Sequence, residues 1–241
     1  MSMFNFANLK EDSFVNTSKP HLKPYGIYKV NLTKIEKTEL KGSKDPNAVY
    51  PVIALEFTGC GEDKGIFTTN LFIPTTKEDG VRPVYTNNEG HEYERPSRFE
   101  NFQYTLMQIV QALNPEGTKK IIANGKKLQD ALNKDLTTGI NLFIDLVIKA
   151  LADKNKIETN IKLVGRNSNG TVYADLPRAC GLNKSGELFN TSFIGENLMF
   201  TNYEITQQKQ YQSARPTNMD KIENNPDEKG SEDVDLDDLE L

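Results

Sequence analysis

Five short segments in which apolar and polar side chains alternate limit what this chain can fold into. In the first, Val30 and Leu32 lie on one face and Lys29 and Asn31 on the other. The segments span residues 26–39, 50–58, 66–73, 157–165 and 171–176. Alternation with a period of two predicts β-strands with one buried face. Connections rich in Gly, Pro, Asn and Asp separate several of them, so the sequence predicts a mainly β domain.

The interval between the third and fourth predicted strands has a helical period. Apolar residues recur every three or four positions at Phe99, Phe102, Leu106, Ile109 and Leu113, and the pattern ends at Asn114-Pro115. A second run extends from Leu128 to Leu151, with Gly139 as a weak point. We therefore expect two helices in an insert of about residues 99–152, the second kinked or broken at Gly139.

Both ends of the chain lack such patterns. Residues 1–23 are polar and unpatterned, which predicts a flexible N-terminal arm. From residue 207 the composition is polar again, and residues 207–241 are expected to form a disordered acidic tail. The folded domain is then residues 24–206, with an additional edge strand expected at 197–206.

Charge is distributed unevenly along the chain, whose net charge is -5. Residues 213–241 contain ten acidic and three basic residues and so carry -7, which leaves +2 on residues 1–212. A mildly basic body with an acidic tail is typical of a protein whose body binds a polyanion while its tail imitates one.

Several classes of function find little support in the sequence. Cys60, Cys180 and His91 lack the paired spacing of a zinc site, and no metal or other cofactor is expected. No phosphate-binding glycine loop or catalytic triad pattern is present, so we expect no enzyme. No apolar run approaches the length of a membrane span, which predicts a cytoplasmic protein without membrane contact.

Three stretches of the chain resemble the opening of phage-encoded single-stranded DNA-binding proteins. They are Leu22-Lys-Pro-Tyr-Gly-Ile-Tyr-Lys-Val30, Pro51-Val-Ile-Ala-Leu-Glu-Phe57 and Gly65-Ile-Phe-Thr-Thr-Asn-Leu-Phe-Ile73. The resemblance covers residues 22–74 and 157–177 and the acidic tail, but not the helical insert. Three strands, helices and two strands is also the element order of the OB-fold. The resemblance therefore implies an α+β chain with a five-stranded OB-fold-like barrel and helices between strands three and four.

The resemblance also implies a function. It predicts a protein that binds single-stranded DNA without sequence preference, in DNA replication, recombination and repair. The tail would recruit replication or recombination proteins through Asp233, Asp235, Asp237, Asp238, Leu239, Glu240 and Leu241. A phage-encoded protein would act in the cytoplasm of its host cell. The sequence leaves self-association open.

Proteins that bind single strands need cations along the phosphates and aromatic rings on which bases stack. Candidates of these types lie on predicted outward strand positions and in the rimming loops, including the long loop 75–97. They are Lys29, Lys34, Lys41, Lys44, Tyr50, Phe72, Arg82, Tyr85, Tyr93, Arg95, Arg98, Lys162, Arg166 and Tyr173.

Other interpretations of these residues stay open. The lysines could simply be solvated, Phe72 could pack under the helical insert, and the tyrosine-bearing loop could be a lid packed on the body. The chain contains no Trp, a ring that such binders often use. Two other functions also compete: a replication or recombination mediator that mainly binds proteins, and a phage structural or assembly protein.

Overall fold

The computed structural model describes residues 20–42, 45, 47–86, 89–183 and 185–214. The predicted N-terminal arm up to residue 19, Lys44 and the tail from residue 215 lie outside the described residues. The chain divides into two compact units, Met1–Met199 and Phe200–Leu241. Within the described part of the chain, no helix is both long enough and apolar enough to cross a membrane.

The first unit is built on β-strands. Along the chain they are β1 (Gly26–Lys41), β2 (Val49–Gly59), β3 (Ile66–Phe72), β4 (Val84–Thr86), β5 (Glu92–Glu94), β6 (Glu158–Ser168), β7 (Thr171–Asp175), β8 (Cys180–Leu182) and β9 (Leu188–Asn190). The five strands predicted from alternation are confirmed as β1, β2, β3, β6 and β7. The additional hairpins β4–β5 and β8–β9 lie in segments without strand-like alternation.

Five strands form one antiparallel sheet in the order β3-β2-β1-β6-β7. Three consecutive strands are followed by a fourth that returns to lie beside the first, which is a Greek-key arrangement. The long strand β1 pairs with β6 near its start and with β2 along the rest, with a register shift between Leu32 and Lys34 that bends it.

The closed barrel expected from the sequence is not confirmed. In the described residues no ladder joins β3 to β7, so the sheet is open and has two edges. Part of the β3 edge is occupied by the chain before β1. The amide of Leu22 donates to the carbonyl of Ile66 over 2.8 Å, and the amide of Ile66 donates to the carbonyl of Pro20 over 2.8 Å. Leu22 is buried.

Helices fill the interval between β3 and β6 and follow Met199. They are α1 (Arg98–Leu113), α2 (Pro115–Ala123), α3 (Gly125–Lys134), α4 (Leu136–Leu151) and α5 (Asn202–Ala214), and a 3-10 turn covers Lys77–Gly80. The insert thus contains four helices rather than the two expected. The protein is a mixed α and β chain with a mostly antiparallel sheet.

The break in the second predicted helix was placed wrongly at Gly139. It lies at Asp135, which is extended and whose carboxylate accepts the amide of Thr138 over 2.7 Å, capping α4. Gly139 is instead a position of close packing, since a Cβ there would lie 2.6 Å from the Cα of Leu132 in α3.

The edge strand expected at 197–206 is also wrong, because α5 begins at Asn202. Thr201 and Glu204 form a capping box in front of this helix. The amide of Glu204 donates to Thr201 Oγ1 over 3.2 Å, and the amide of Thr201 donates to Glu204 Oε2 over 2.7 Å. These bonds satisfy two amides that a helix start leaves without partners.

One hydrophobic core joins the inner face of the sheet to helices of the insert. Its fully buried members include Val30, Ile53, Phe57 and Ile161 from strands and Leu106, Ile109, Ile144 and Val147 from helices. Burying such side chains contributes about 1.5–3 kcal/mol each. Because the helices cover the inner face, the opposite face of the sheet, here called the outer face, is where strand side chains can meet a ligand.

Candidate nucleic-acid interface

The ladder registers decide which candidates share the outer face. Side chains alternate along each strand, and the register shift between Leu32 and Lys34 adds one residue to β1, which returns Lys34 to the face of Lys29. The outer face therefore carries Lys29, Lys34, Tyr50, Phe72, Lys162, Arg166 and Tyr173. Lys41 is seven residues beyond Lys34 on β1 and therefore lies on the opposite face, exposed at the end of the strand.

Tyr50 and Phe72 form a ring pair on neighbouring strands β2 and β3. Their ring centroids lie 6.0 Å apart, with an interplanar angle of 81°. Both side chains are about half exposed, at 46% and 47%. Phe72 is therefore not buried beneath the helical insert. Val52, its ladder partner, is fully buried on the same face, which makes the surroundings of the two rings apolar.

Arg166 and Tyr173 are ladder partners on β6 and β7. Tyr173 is 52% exposed, and Arg166 Nε lies 3.3 Å from Asp175 Oδ2. Burial raises the pKa of Asp175, which Arg166 only partly offsets, so the net pKa lies above its ordinary value. The pair offers an exposed ring beside a guanidinium that already has an acidic neighbour.

The two lysines of β1 also have acidic partners on the sheet. Lys29 forms an ion pair with Glu158 of β6, and Lys34 Nζ lies 2.6 Å from Glu36 Oε1. The hydrogen bond to its carboxylate raises the pKa of each lysine, so both stay protonated. The adjacent carboxylates nevertheless offset their charge, and a phosphate would have to compete with them.

The hairpin β4–β5 brings three candidates together in what we call the hairpin cluster: Tyr85, Tyr93 and Arg95. The tyrosines are direct cross-strand partners, with ring centroids 6.0 Å apart and planes inclined by 29°. The guanidinium carbon of Arg95 lies 4.2 Å from the Tyr85 centroid and 5.2 Å from that of Tyr93. Arg95 Nη2 also donates to the Tyr93 hydroxyl over 2.6 Å.

The hairpin cluster is accessible. All six residues of the two strands are exposed, and each tyrosine is 40% exposed. The surface of the two strands is therefore open to a ligand. Flat rings beside a guanidinium form a surface on which a nucleobase can stack and which attracts its phosphate.

Two other candidate cations have structural partners. Arg82 donates from Nε and Nη2 to the carboxylate of Glu100, and Arg98 Nη1 lies 2.7 Å from Oδ1 of the buried Asp79. Arg82 is thus unavailable to a phosphate unless its contact with Glu100 breaks. Arg98 is mostly exposed beyond its ion pair.

The expected outward exposure of Lys162 is wrong. The residue is only 4% exposed, and its Nζ donates to the carbonyl of Met199 over 3.1 Å. The segment before Met199 runs along the edge of β6, where the amide of Lys162 donates to the carbonyl of Phe193 over 2.7 Å. That pairing depends on tertiary structure and has no signal in the alternation of β6.

Sequence reasoning missed two exposed apolar residues beside the candidates. Ile27 precedes Lys29 by two residues on the outer face of β1, and Val84 lies on the hairpin next to Tyr85. Alternation alone could have placed Ile27 on the face of Lys29. No comparable signal marked Val84, because the loop had no strand pattern.

No metal-binding cluster of three or more His, Cys, Asp or Glu residues occurs in the described ranges. Burial raises the pKa of the Cys180 thiol to about 11, so this thiol stays protonated near neutral pH and is a poor nucleophile. These observations supply no chemistry for a catalytic site at Cys180.

No protein-family model, curated protein or solved structure matches this chain. Only the chemistry and geometry of its own residues therefore bear on what the chain binds.

Proposed function

We propose that the chain is a single-stranded DNA-binding protein without sequence preference, with an OB-fold-like architecture. It would be of the kind that phages encode for DNA replication, recombination and repair. The observation that carries the proposal is the hairpin cluster, in which Tyr85, Tyr93 and Arg95 lie together on an exposed hairpin.

Stacking explains why this cluster favours single strands. Every base has a flat π-face, so stacking on a tyrosine tolerates any sequence and is worth about 1–3 kcal/mol per base. In a duplex both faces of each base are already stacked, and exposing one costs a few kcal/mol. Rings on an exposed hairpin thus discriminate by strandedness rather than by sequence.

The sheet supports the same proposal. Its Greek-key order, with helices between β3 and β6, is compatible with an OB-fold, which is a partly open Greek-key barrel. Its outer face adds the ring pair Tyr50–Phe72 and the ring–cation pair Tyr173–Arg166. These strand residues add further exposed rings on which bases can stack.

Charge on the described surface favours stacking over phosphate contacts as the main source of affinity. Lys29, Lys34 and Arg166 each have a carboxylate neighbour, and the body carries only +2. We therefore expect few phosphate contacts and a shallow salt dependence, at a log–log slope of about -0.7 per contact.

The acidic tail would recruit replication or recombination proteins. Residues 233–241 interleave Asp and Glu with Leu236, Leu239 and Leu241. A partner with Lys and Arg around an apolar pocket would bind such a segment. These residues lie outside the described part of the chain, so their sequence alone supports this role.

Fluorescence anisotropy with labelled oligo-dT and a duplex of equal length, over a series of salt concentrations, tests the proposal. We expect much tighter binding of the single strand, and a large loss of affinity when Tyr85 and Tyr93 are both changed to Ala with the fold retained in circular dichroism. Equal affinity for the two DNAs would refute the proposal.

A further inference from the structure

The root of the hairpin β4–β5 is attached to the start of α1 through one carboxylate. Glu100 belongs to the capping box of α1, where Ser97 donates its amide to Glu100 Oε2 over 2.8 Å. The same carboxylate accepts Arg82 Nη2 over 2.8 Å and Arg82 Nε over 3.0 Å, both at Oε1. Arg82 lies two residues before β4, so this contact fixes the point where the hairpin begins.

Arg82 joins two further parts of the fold at this point. Its Nη1 donates over 2.9 Å to the carbonyl of Gly186, in the turn between β8 and β9. The same atom lies 3.9 Å from Glu94 Oε2 at the end of β5. We call Arg82, Glu100 and the Gly186 carbonyl the root contact.

A second ion pair holds the chain that precedes the root contact. Asp79 Oδ2 accepts the amides of Thr75 and Thr76 over 3.0 and 3.1 Å, and Asp79 Oδ1 lies 2.7 Å from Arg98 Nη1. Arg98 is the first residue of α1. Two ion pairs thus join the chain before the hairpin to the first turn of α1, which follows the hairpin.

We propose that Arg82 and Glu100 are positioning residues, which hold the hairpin cluster in place for a stacked base without contacting DNA themselves. This inference rests on the proposed function. Arg82 engages three of its nitrogens with protein oxygens, so it is poorly placed to bind a phosphate as well. A fixed root matters because the free energy of ordering Tyr85 and Tyr93 on binding offsets the free energy gained by stacking. Rings that are already held in place lose less of that gain.

The charge of Glu100 allows a test in which positioning and simple electrostatics predict opposite changes in affinity for DNA. Glu100→Gln removes a negative charge, which by electrostatics alone would strengthen the binding of a polyanion. If Glu100 instead positions the hairpin, the variant should bind oligo-dT about tenfold more weakly, the scale of losing a charge-assisted hydrogen bond. Glu92→Gln is the matched control, since it removes the same charge on β5, one residue from Tyr93 and on the opposite face. This control should bind as tightly as the natural chain or slightly tighter.

Arg82 is tested by comparing two replacements in the full chain. Positioning predicts that Arg82→Lys, which keeps the charge but loses the two-nitrogen contact, weakens binding nearly as much as Arg82→Ala. It also predicts an unchanged salt slope in both. Near-normal affinity of Arg82→Lys, or a slope reduced by about 0.7 in Arg82→Ala, would show a phosphate contact and overturn the proposal.

Hydrogen exchange separates failure of this inference from failure of the proposed function. In Glu100→Gln the amides of β4 and β5 should exchange faster while those of β1 and β2 keep their protection. Exchange unchanged throughout would refute positioning even if the chain binds DNA. If the natural chain does not bind oligo-dT, the proposed function fails, and faster exchange confined to the hairpin would still support the root contact as its anchor. If Glu100→Gln loses protection in every strand, the same measurement is made on Arg82→Lys. Faster exchange confined to β4 and β5 then supports positioning, and unchanged exchange refutes it.

Discussion

Tyr85 and Tyr93 are partly exposed rings, and the guanidinium of Arg95 lies against both of them. Removing either ring should take away a stacking surface and leave Arg95 with only one aromatic partner. We expect Tyr85→Ala and Tyr93→Ala each to weaken oligo-dT binding by about 1–3 kcal/mol. Anisotropy measures the loss, and Tyr203→Ala, which removes an exposed tyrosine of α5, should leave affinity unchanged. Unchanged binding in both hairpin variants would remove this cluster from the site.

For individual residues, the sequence indicated which side chains are candidates for binding better than it indicated which residues they contact. It marked Tyr85, Tyr93 and Arg95 because rings and cations alternate in one loop, and the structure brings these three together. It could not show that Arg82 is held by Glu100, 18 residues away, or that Lys162 reaches Met199, 37 residues away. A cation's partner depends on tertiary packing, and local pattern carries no record of it.

Among the elements, the crossing of α3 and α4 gives a prediction that runs against helix propensity. Replacing a helical Gly by Ala ordinarily stabilises by about 0.5–1 kcal/mol. At Gly139, however, the new Cβ would lie 2.6 Å from backbone atoms of Leu132, and overpacking of this kind costs about 1–3 kcal/mol. Gly139→Ala should therefore lower the midpoint of urea unfolding. Gly125→Ala, where nothing lies within 4 Å of the new Cβ, should raise it or leave it unchanged. The reverse order would contradict the close crossing.

The root of the hairpin should be sensitive to acid. Partial burial raises the pKa of Glu100, but hydrogen bonds from Arg82 and Ser97 lower it more, and its net pKa lies below the ordinary 4.5. Asp79 behaves alike: burial raises its pKa, while bonds from Thr76 and Thr75 and the charge of Arg98 bring it below 3.8.

A depressed carboxyl pKa means that the unfolded chain binds protons more readily. The stability these groups contribute is therefore present above their ordinary pKa values and is lost as pH falls through the lower folded values. Between about pH 6 and about pH 3, hydrogen exchange of β4 and β5, corrected for intrinsic rates, should lose protection before that of β2. Glu100→Gln should show a weaker pH dependence, and an equal dependence would exclude Glu100 as a cause.

Element types were easier to predict than element ends. Alternation located β1, β2, β3, β6 and β7 because one face of each is buried in the common core. The helix break at Asp135 and the start of α5 at Asn202 are set by side chains that cap backbone amides, those of Asp135 and Thr201. Those signals were present, as an Asp three residues before a Thr and a Thr three residues before a Glu, but the spacing of apolar residues does not record them.

For the whole molecule, the open sheet and the distribution of charge decide how a polyanion would be bound. Local alternation could not show whether β3 and β7 pair to close the sheet. Pairing between distant strands depends on the bend and register of β1, which alternation does not record. The order of elements along the chain, three strands followed by helices and two strands, was in contrast predicted from their apolar periods. On the outer face Lys29, Lys34 and Arg166 each have a carboxylate neighbour, so this face would attract a polyanion only weakly at long range.

The acidic tail should then have its largest effect at low salt. Residues 215–241 carry -7, and their removal leaves a chain of net charge +2 that ends with α5. The local concentration of a tethered competitor reaches about millimolar values, while screening over about 8 Å at physiological salt weakens its competition with DNA. Deleting residues 215–241 should leave thermal unfolding of the body unchanged and tighten oligo-dT binding, most at low salt, while abolishing binding to a basic replication partner. A full-length variant with its ten tail carboxylates changed to amides should match the deletion if charge is the cause. Weaker DNA binding after deletion, or tightening by deletion but not by neutralisation, would contradict electrostatic competition.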